Sequence, residues 1–204
     1  MTRCKCQEIE ITKRQWTNCG INPEQSKQTF STFEIWNSSA ARAKEKAIGY
    51  YKTFDNIKST RKNSIMFCGQ VGSGKTHLSI ALALNLLSKN IKVVYLPYRD
   101  IITEIKQNML DTEHYKKTVG KYQLAEVLLI DDLFKGKINE TDINIMFEII
   151  NHRYLNQMPI IVSTEFQVDR MLNFDEGVGS RIYEMCKDFI IQIEGQENNY
   201  RLRE

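Results

Sequence analysis

The chain has 204 residues, 42% hydrophobic and 26% charged, with a formal net charge of +3. That suffices for one sizeable α/β core with a small appendage, and no apolar stretch approaches the roughly 18–20 residues of a membrane span. The charge permits a nucleic-acid partner without arguing for one; the polar first residues show no secretory leader, and five scattered cysteines, Cys4, Cys6, Cys19, Cys68 and Cys186, suggest no disulfide framework, so a reducing, cytoplasmic setting is expected.

Residues 1–28 read as a polar, irregular N-terminal segment. Cys4-Lys5-Cys6 and Cys19 are candidate metal ligands, although their spacing matches no usual zinc pattern; free thiols on a frayed terminus are the alternative. Residues 29–204 read as the main domain, opening with an aromatic cluster of Phe30, Phe33, Ile35 and Trp36 that packs onto it. Ser38 or Ser39 is expected to cap a helix running to about Phe54, with Ala40, Ala41, Ala43, Ala47, Ile48 and Tyr51 inward. After a polar loop at 55–63 come a strand at Ile65–Cys68, a helix at Thr76–Leu87, a strand at Lys92–Leu96 and helical spacing over 98–110. Residues 111–123 are polar and basic. A strongly apolar strand follows at Val127–Ile130, then a helix over about Thr141–Leu155, a strand at Pro159–Thr164 and a last strand at Phe189–Ile193. Strands alternating with helices imply a parallel sheet covered on both faces.

Between the first strand and its helix lies Gly69-Gln70-Val71-Gly72-Ser73-Gly74-Lys75-Thr76, the pattern of a phosphate-binding loop. Glycines let backbone N–H groups turn in around a polyphosphate, and the dipole of the following helix adds to the attraction. Gly69, Val71, Gly72, Ser73, Gly74, Lys75, Thr76 and His77 are therefore the candidate nucleotide-binding residues. Lys75 would reach the β- and γ-phosphates, and the Thr76 hydroxyl would hold Mg²⁺.

The strand Val127–Ile130 ends in Asp131-Asp132, at the sheet edge where open α/β folds bind ligands. Asp131 would hold Mg²⁺ opposite Thr76, and Asp132 would orient or deprotonate the attacking water. Taken alone, the pair could also be a strand end followed by a helix cap. Ser163 and Thr164 end another strand and could hydrogen-bond the γ-phosphate or the water, or simply mark a strand boundary. Arg181 is expected near a helix start, projecting outward, where an arginine can stabilise transition-state charge in a neighbouring subunit; the plain alternative is a surface arginine in an ion pair. The stretch Lys106–Tyr122, with Lys116, Lys117, Lys121 and Tyr122, is either a single-stranded DNA contact or a solvated helical face.

Together GQVGSGKTHL at 69–78, VLLIDDL at 127–133, PIIVSTEF at 159–166, GSRIYEM at 179–185 and NYRLR at 199–203 make residues 29–203 resemble the DnaC/DnaI-type helicase loaders and the related IstB transposition helpers, within the AAA+ ATPases. The resemblance implies an AAA+ P-loop core with a five-stranded parallel sheet in the order 5-1-4-3-2 and little or no lid. It implies ATP and Mg²⁺ as cofactors, with Lys75, Asp132 and Arg181 catalytic and with Thr76 and Asp131 holding the metal; Thr164, read from its place at the strand end, is a further catalytic candidate. Implied partners are a replicative DNA helicase, single-stranded DNA and further copies of the chain in an oligomer or spiral. Residues 1–28 would be the remnant of a cysteine-bearing helicase-interaction region. The expected function is ATP-dependent loading of a replicative helicase, from either a chromosomal or a phage gene. The alternatives are a transposition helper or ATP-gated DNA-binding adaptor and, from another class, a small-metabolite kinase, which would need an acceptor pocket and an arginine-bearing lid. One departure stands out: Ser163-Thr164-Glu165 occupies the place where the family usually has Thr-Ser-Asn, and a glutamate there repels phosphate unless it binds water.

Overall fold

Strands and helices alternate along the computed structural model, which describes residues 19–22 and 24–203. In chain order they are α1 (Ser38–Ile57), β1 (Ile65–Gly69), α2 (Lys75–Ser88), β2 (Val93–Pro97), α3 (Tyr98–Gln107), α4 (Thr112–Gln123), β3 (Val127–Leu133), α5 (Glu140–Leu155), β4 (Ile160–Thr164), α6 (Val168–Phe174), α7 (Glu176–Cys186) and β5 (Ile190–Ile193). The sheet order is β2-β3-β4-β1-β5 with every pairing parallel, which is the expected 5-1-4-3-2 read from the other edge. Among the described residues, β5 is followed by two short 3-10 turns, Gln196–Asn198 and Tyr200–Leu202, rather than a helical lid.

The strand sequences explain the layering. β1 and β4 are buried at every position, as parallel strands covered on both faces must be. Side chains alternate: Ile65, Phe67, Val127, Leu129 and Ile161 face α1 and α2. Met66, Cys68, Leu128, Ile130, Ile160 and Val162 face the layer of α3 to α7. Cys19 and Ile21, on the N-terminal side of the boundary expected at residue 28, pack into the first of these layers. α1 lies along the outer side of β5, and Lys46 donates from Nζ to the Ile190 carbonyl at 3.2 Å.

Two local expectations change. The cap of α1 is Asn37, whose Oδ1 accepts from the Ala40 amide at 2.8 Å; Ser38 and Ser39 follow it. The buried stripe is Ala40, Ala43, Ala47, Tyr50 and Phe54, so Ala41, Ile48 and Tyr51 fall half-buried on its flanks. The basic stretch at 111–123 is the helix α4, capped by Asp111 and buried at Val119 and Tyr122.

Arg153 of α5 is fully buried, with no carboxylate partner among the described residues. Its guanidinium instead donates to the carbonyls of Tyr122, Gln123 and Ala125 at the end of α4 and to Pro159 before β4. Burial pushes its pKa down to about 9, which leaves it charged at neutral pH. Those carbonyls have no helical partners, and a cation suits the negative end of a helix dipole. Arg153→Ala is expected to cost about 3 kcal/mol or more, through several buried unpaired carbonyls and a cavity. Urea denaturation checks this, and a loss below about 1 kcal/mol would contradict the assigned role.

Candidate functional site

The loop after β1 reaches its shape through left-handed backbone at Gly69 and Gly74 (φ 103° and 83°). At Gly69 an added Cβ would collide with the Ile193 carbonyl of β5, and at Gly74 with the Phe33 ring; only glycine suits both places. Gly74 directly precedes α2, so the free N–H groups at the helix start open onto the loop. Lys75 is 6% exposed, and its ammonium donates to the carbonyls of Gly69 at 3.0 Å and Gln70 at 2.6 Å. Burial pulls the Lys75 pKa down, while the charges of Glu165 and Asp132 push it back up. Ser73 donates to the Gln70 carbonyl, and Val71 is exposed at the loop tip.

Asp131 is 7% exposed and accepts three hydroxyls: Thr76 at 2.9 Å and Ser163 at 2.5 Å on Oδ1, and Tyr95 at 3.0 Å on Oδ2. Burial raises its pKa, and those hydrogen bonds partly oppose the rise. Asp132 follows in left-handed backbone (φ 55°), where the pairing of β3 with β4 slips between Ile130 and Leu133. Such a bulge re-aims a side chain. The Asp132 amide donates to Ser163 Oγ at 2.9 Å, and its carboxylate accepts from Lys135 Nζ at 2.8 Å. Lys135 in turn lies 3.1 Å from Glu165 Oε1. The Glu165 charge expected to repel phosphate is thus paired with a lysine that sequence reasoning overlooked.

A cleft of about 310 Å³ collects Val71 to His77, Asp131, Asp132, Lys135 and Glu165, with Gln28 and Arg201 at its rim. Thr164 is not brought there. Its side chain is fully buried, donating to the Leu133 carbonyl at 2.9 Å and accepting from the Phe166 amide at 3.1 Å; the neighbouring Ser163 is the strand-end hydroxyl that reaches the acidic pair. Arg181 does not line the cleft of its own chain either. It lies in mid-helix rather than at a helix start, because α7 begins at Glu176 with Asp175 as cap. Its guanidinium donates to Asn151 Oδ1 at 3.0 Å and the Gly177 carbonyl at 2.7 Å and stacks 4.9 Å from the Phe147 ring. His77 Nε2 is 2.8 Å from the Thr29 carbonyl, which requires a proton on that nitrogen, and its ring meets Phe33 edge-on.

The segments before α1 and after β5 meet beside the loop. The Tyr200 amide donates to the Gly72 carbonyl at 3.0 Å, and the Tyr200 ring packs 5.1 Å from Trp36. The run NYRLR carried the signal for Arg201, but without a role attached. Lys116, Lys117 and Lys121 are exposed on α4. Tyr122, expected as a base-stacking candidate, is 2% exposed and cannot stack on a base, and Lys106 is committed to Asp142 at 2.7 Å. Among the described residues, no group of three His, Cys, Asp or Glu could hold a metal ion; Cys4 and Cys6 lie outside them. No described helix is long and apolar enough to cross a membrane.

The cleft fits a nucleoside triphosphate with Mg²⁺. Gly69 and Gly74 give the loop a left-handed backbone that glycine adopts freely, a buried ammonium rests on backbone carbonyls, and the Thr76 hydroxyl and Asp131 carboxylate offer adjacent oxygen donors, which suit a hard cation.

The family model described as "IstB-like ATP binding protein" matches residues 14–203. The chain is 38% identical to the uncharacterized protein YqaM of Bacillus subtilis (strain 168), over 98% of this chain and 66% of that protein. It is 40% identical to XkdC, a protein of the phage-like element PBSX of the same organism, over 75% of this chain and 59% of that one. The chain therefore spans less than two thirds of the length of either relative. A crystal structure of the DnaC helicase loader superposes with a TM-score of 0.74 at 23% identity, covering 85% of this chain and all of that one; a likeness at that identity shows a shared fold.

The Asp131 carboxyl is held above the ordinary value of 3.8, first by burial. The folded state therefore binds its proton more tightly than the unfolded chain does. The resulting contribution to stability is full below the unfolded pKa and is lost as pH rises through the folded one. At neutral pH the buried charge opposes folding. Asp131→Asn is thus expected to raise the thermal midpoint of the nucleotide-free protein at neutral pH, with the gain shrinking as the medium is acidified, and to remove Mg²⁺-dependent nucleotide binding. Melting curves across pH with nucleotide titrations check both, and a less stable variant at neutral pH would contradict the assignment.

Proposed function

The chain belongs to the IstB-like ATP-binding protein family, and on that premise we propose that it hydrolyses ATP with Mg²⁺ and uses the cycle to load a replicative DNA helicase onto single-stranded DNA. The observation that carries the hydrolytic part is the meeting of Lys75, Thr76, Asp131 and Asp132 at one cleft. The loader part is supported by the DnaC-like fold and by a relative from a phage-like element. The family match also favours a second reading, a transposition helper that uses the same residues.

In this reading each group has a physical task. The loop N–H groups and the start of α2 hold the phosphates. Lys75 leaves its two carbonyl acceptors for phosphate oxygens, which are stronger acceptors because they are charged. Thr76 and Asp131 hold Mg²⁺, which when bound spreads and neutralises phosphate charge. Ser163 and Tyr95 fix the Asp131 carboxylate from behind. Asp132, re-aimed by the bulge, orients the attacking water and takes its proton. Arg181, turned away from its own cleft, acts on the terminal phosphate held by a neighbouring copy. The exposed lysines of α4 contact the phosphates of single-stranded DNA, and such contacts weaken with salt.

ATP turnover tests the site. Asp132→Asn is expected to lower turnover by about 100-fold or more while ATP binding persists; unchanged turnover would remove Asp132 as the base. Arg181→Ala and Lys75→Ala should each be inactive alone and partly active when mixed, since a mixed interface joins an intact loop to an intact arginine. An inactive mixture would place Arg181 outside a shared site. The biological role is read by co-purification from the native host, with ATP and single-stranded DNA present. Capture of the replicative helicase is the expected result, and capture of a transposase instead would transfer the assignment to the second reading.

A further inference from the structure

Lys135 and Glu165 line the cleft yet belong to neither the phosphate loop nor the acidic pair. Lys135 Nζ is 2.8 Å from Asp132 Oδ2 and 3.1 Å from Glu165 Oε1. An ammonium has three donor hydrogens, so two carboxylate contacts leave a third. The Lys135 side chain is 41% exposed and lines the same cleft as Lys75 and Thr76. Glu165, when ionised, can only accept hydrogen bonds and therefore cannot hold a phosphate oxygen itself. It can hold a cation that does.

The backbone keeps that cation in place. The Lys135 amide donates to the Asp132 carbonyl at 3.1 Å, closing a turn in which Asp132 and Phe134 both have left-handed backbone (φ 55° and 60°). Such a conformation at an aromatic residue persists only where its surroundings impose it. Here they do: Phe134 is buried among the rings of Tyr98, Phe166 and Phe174. Phe166 directly follows Glu165, so one aromatic cluster fixes both the turn that carries Lys135 and the strand end that carries its partner. Electrostatics ties the cluster to the loop as well, because Glu165 and Asp132 favour the charged form of Lys75 and Lys135 opposes it. Two ammoniums, Lys75 and Lys135, and three carboxylates, Asp131, Asp132 and Glu165, thus line one cleft, and an entering phosphate meets Glu165 with the Lys135 ammonium beside it.

We propose that Lys135 is a second cationic ligand for the terminal phosphate of ATP and that Glu165 is its positioning residue; this rests on the ATP reading above. ADP lacks the group that Lys135 would meet, so the lysine sets the preference for triphosphate over diphosphate. When that phosphate is absent, the same ammonium rests on Asp132.

The test is calorimetric titration with Mg²⁺ and either a non-hydrolysable ATP analogue (AMPPNP) or ADP. In Lys135→Met, analogue affinity is expected to fall about tenfold or more, within the range of one charge-assisted hydrogen bond, while ADP affinity changes by less than about twofold. Retained ADP binding also reports that the variant is folded. Lys135→Arg should recover most of the preference. In a Glu165→Gln background the Lys135→Met effect should shrink, as coupled residues require; additive effects would remove Glu165 as the positioning residue. Equal losses for both nucleotides, no loss, or tighter analogue binding would overturn the proposal for Lys135, the last by making it a mask over Asp132. A wild-type protein that binds neither nucleotide would overturn the ATP reading itself.

Discussion

A carboxylate withdrawn from water must find partners for its oxygens inside the protein, or it becomes costly enough to change its charge. Asp131 finds Thr76 at the start of α2, Ser163 at the end of β4 and Tyr95 on β2. These contributors come from separate crossovers, so one side chain ties the phosphate loop to β2, β3 and β4. Ser163 extends the arrangement by one step: the oxygen that gives its proton to Asp131 also receives the amide proton of Asp132. The placement of Asp132, the proposed base, therefore depends on the same hydroxyl that braces Asp131. Burial sets the Asp131 charge against folding, and the three hydroxyls around it offset part of that cost.

The parts legible in sequence are those in which a short run encodes its own geometry. The glycines and Lys75-Thr76 sit in fixed register at a strand-to-helix turn, and Asp131-Asp132 ends an apolar strand, so each identifies its place locally. The strand order came through the family resemblance. The errors arose where one residue of register decides which way a side chain faces. Ser163 and Thr164 are adjacent polar residues at a strand end, and successive strand residues face opposite ways; only the bulge opposite them shows that serine reaches the acids. Tyr122 follows Val119 by three positions in α4, a spacing that buries it, yet the surrounding lysines made that stretch look solvated. Lys135 and Arg201 were missed as cleft residues, and Glu165 was placed at the strand end without its lysine partner, because these positions arise from contacts across elements. Arg153 gave no signal at all, since nothing local distinguishes a buried arginine from a surface one.

The cleft also depends on chain segments that flank the sheet. Thr29 and Phe33 hold His77, while Trp36 stacks with Tyr200, whose backbone binds the loop at Gly72. The segment before α1 and the turn after β5 therefore meet over the same loop. The loop therefore leans on residues far away in sequence, which its own pattern does not encode.

The outer side of β5 has a further consequence. The strand is four residues long, its Ile190 carbonyl is taken by Lys46, and α1 runs beside it. A short edge with a lysine on a free carbonyl is a poor template for another strand. Copies of this chain are thereby discouraged from joining their sheets through backbone ladders at this edge, which are slow to undo. Contacts left to side chains, many of them charged, respond to salt and can dissolve again, so the edge favours reversible association over aggregation.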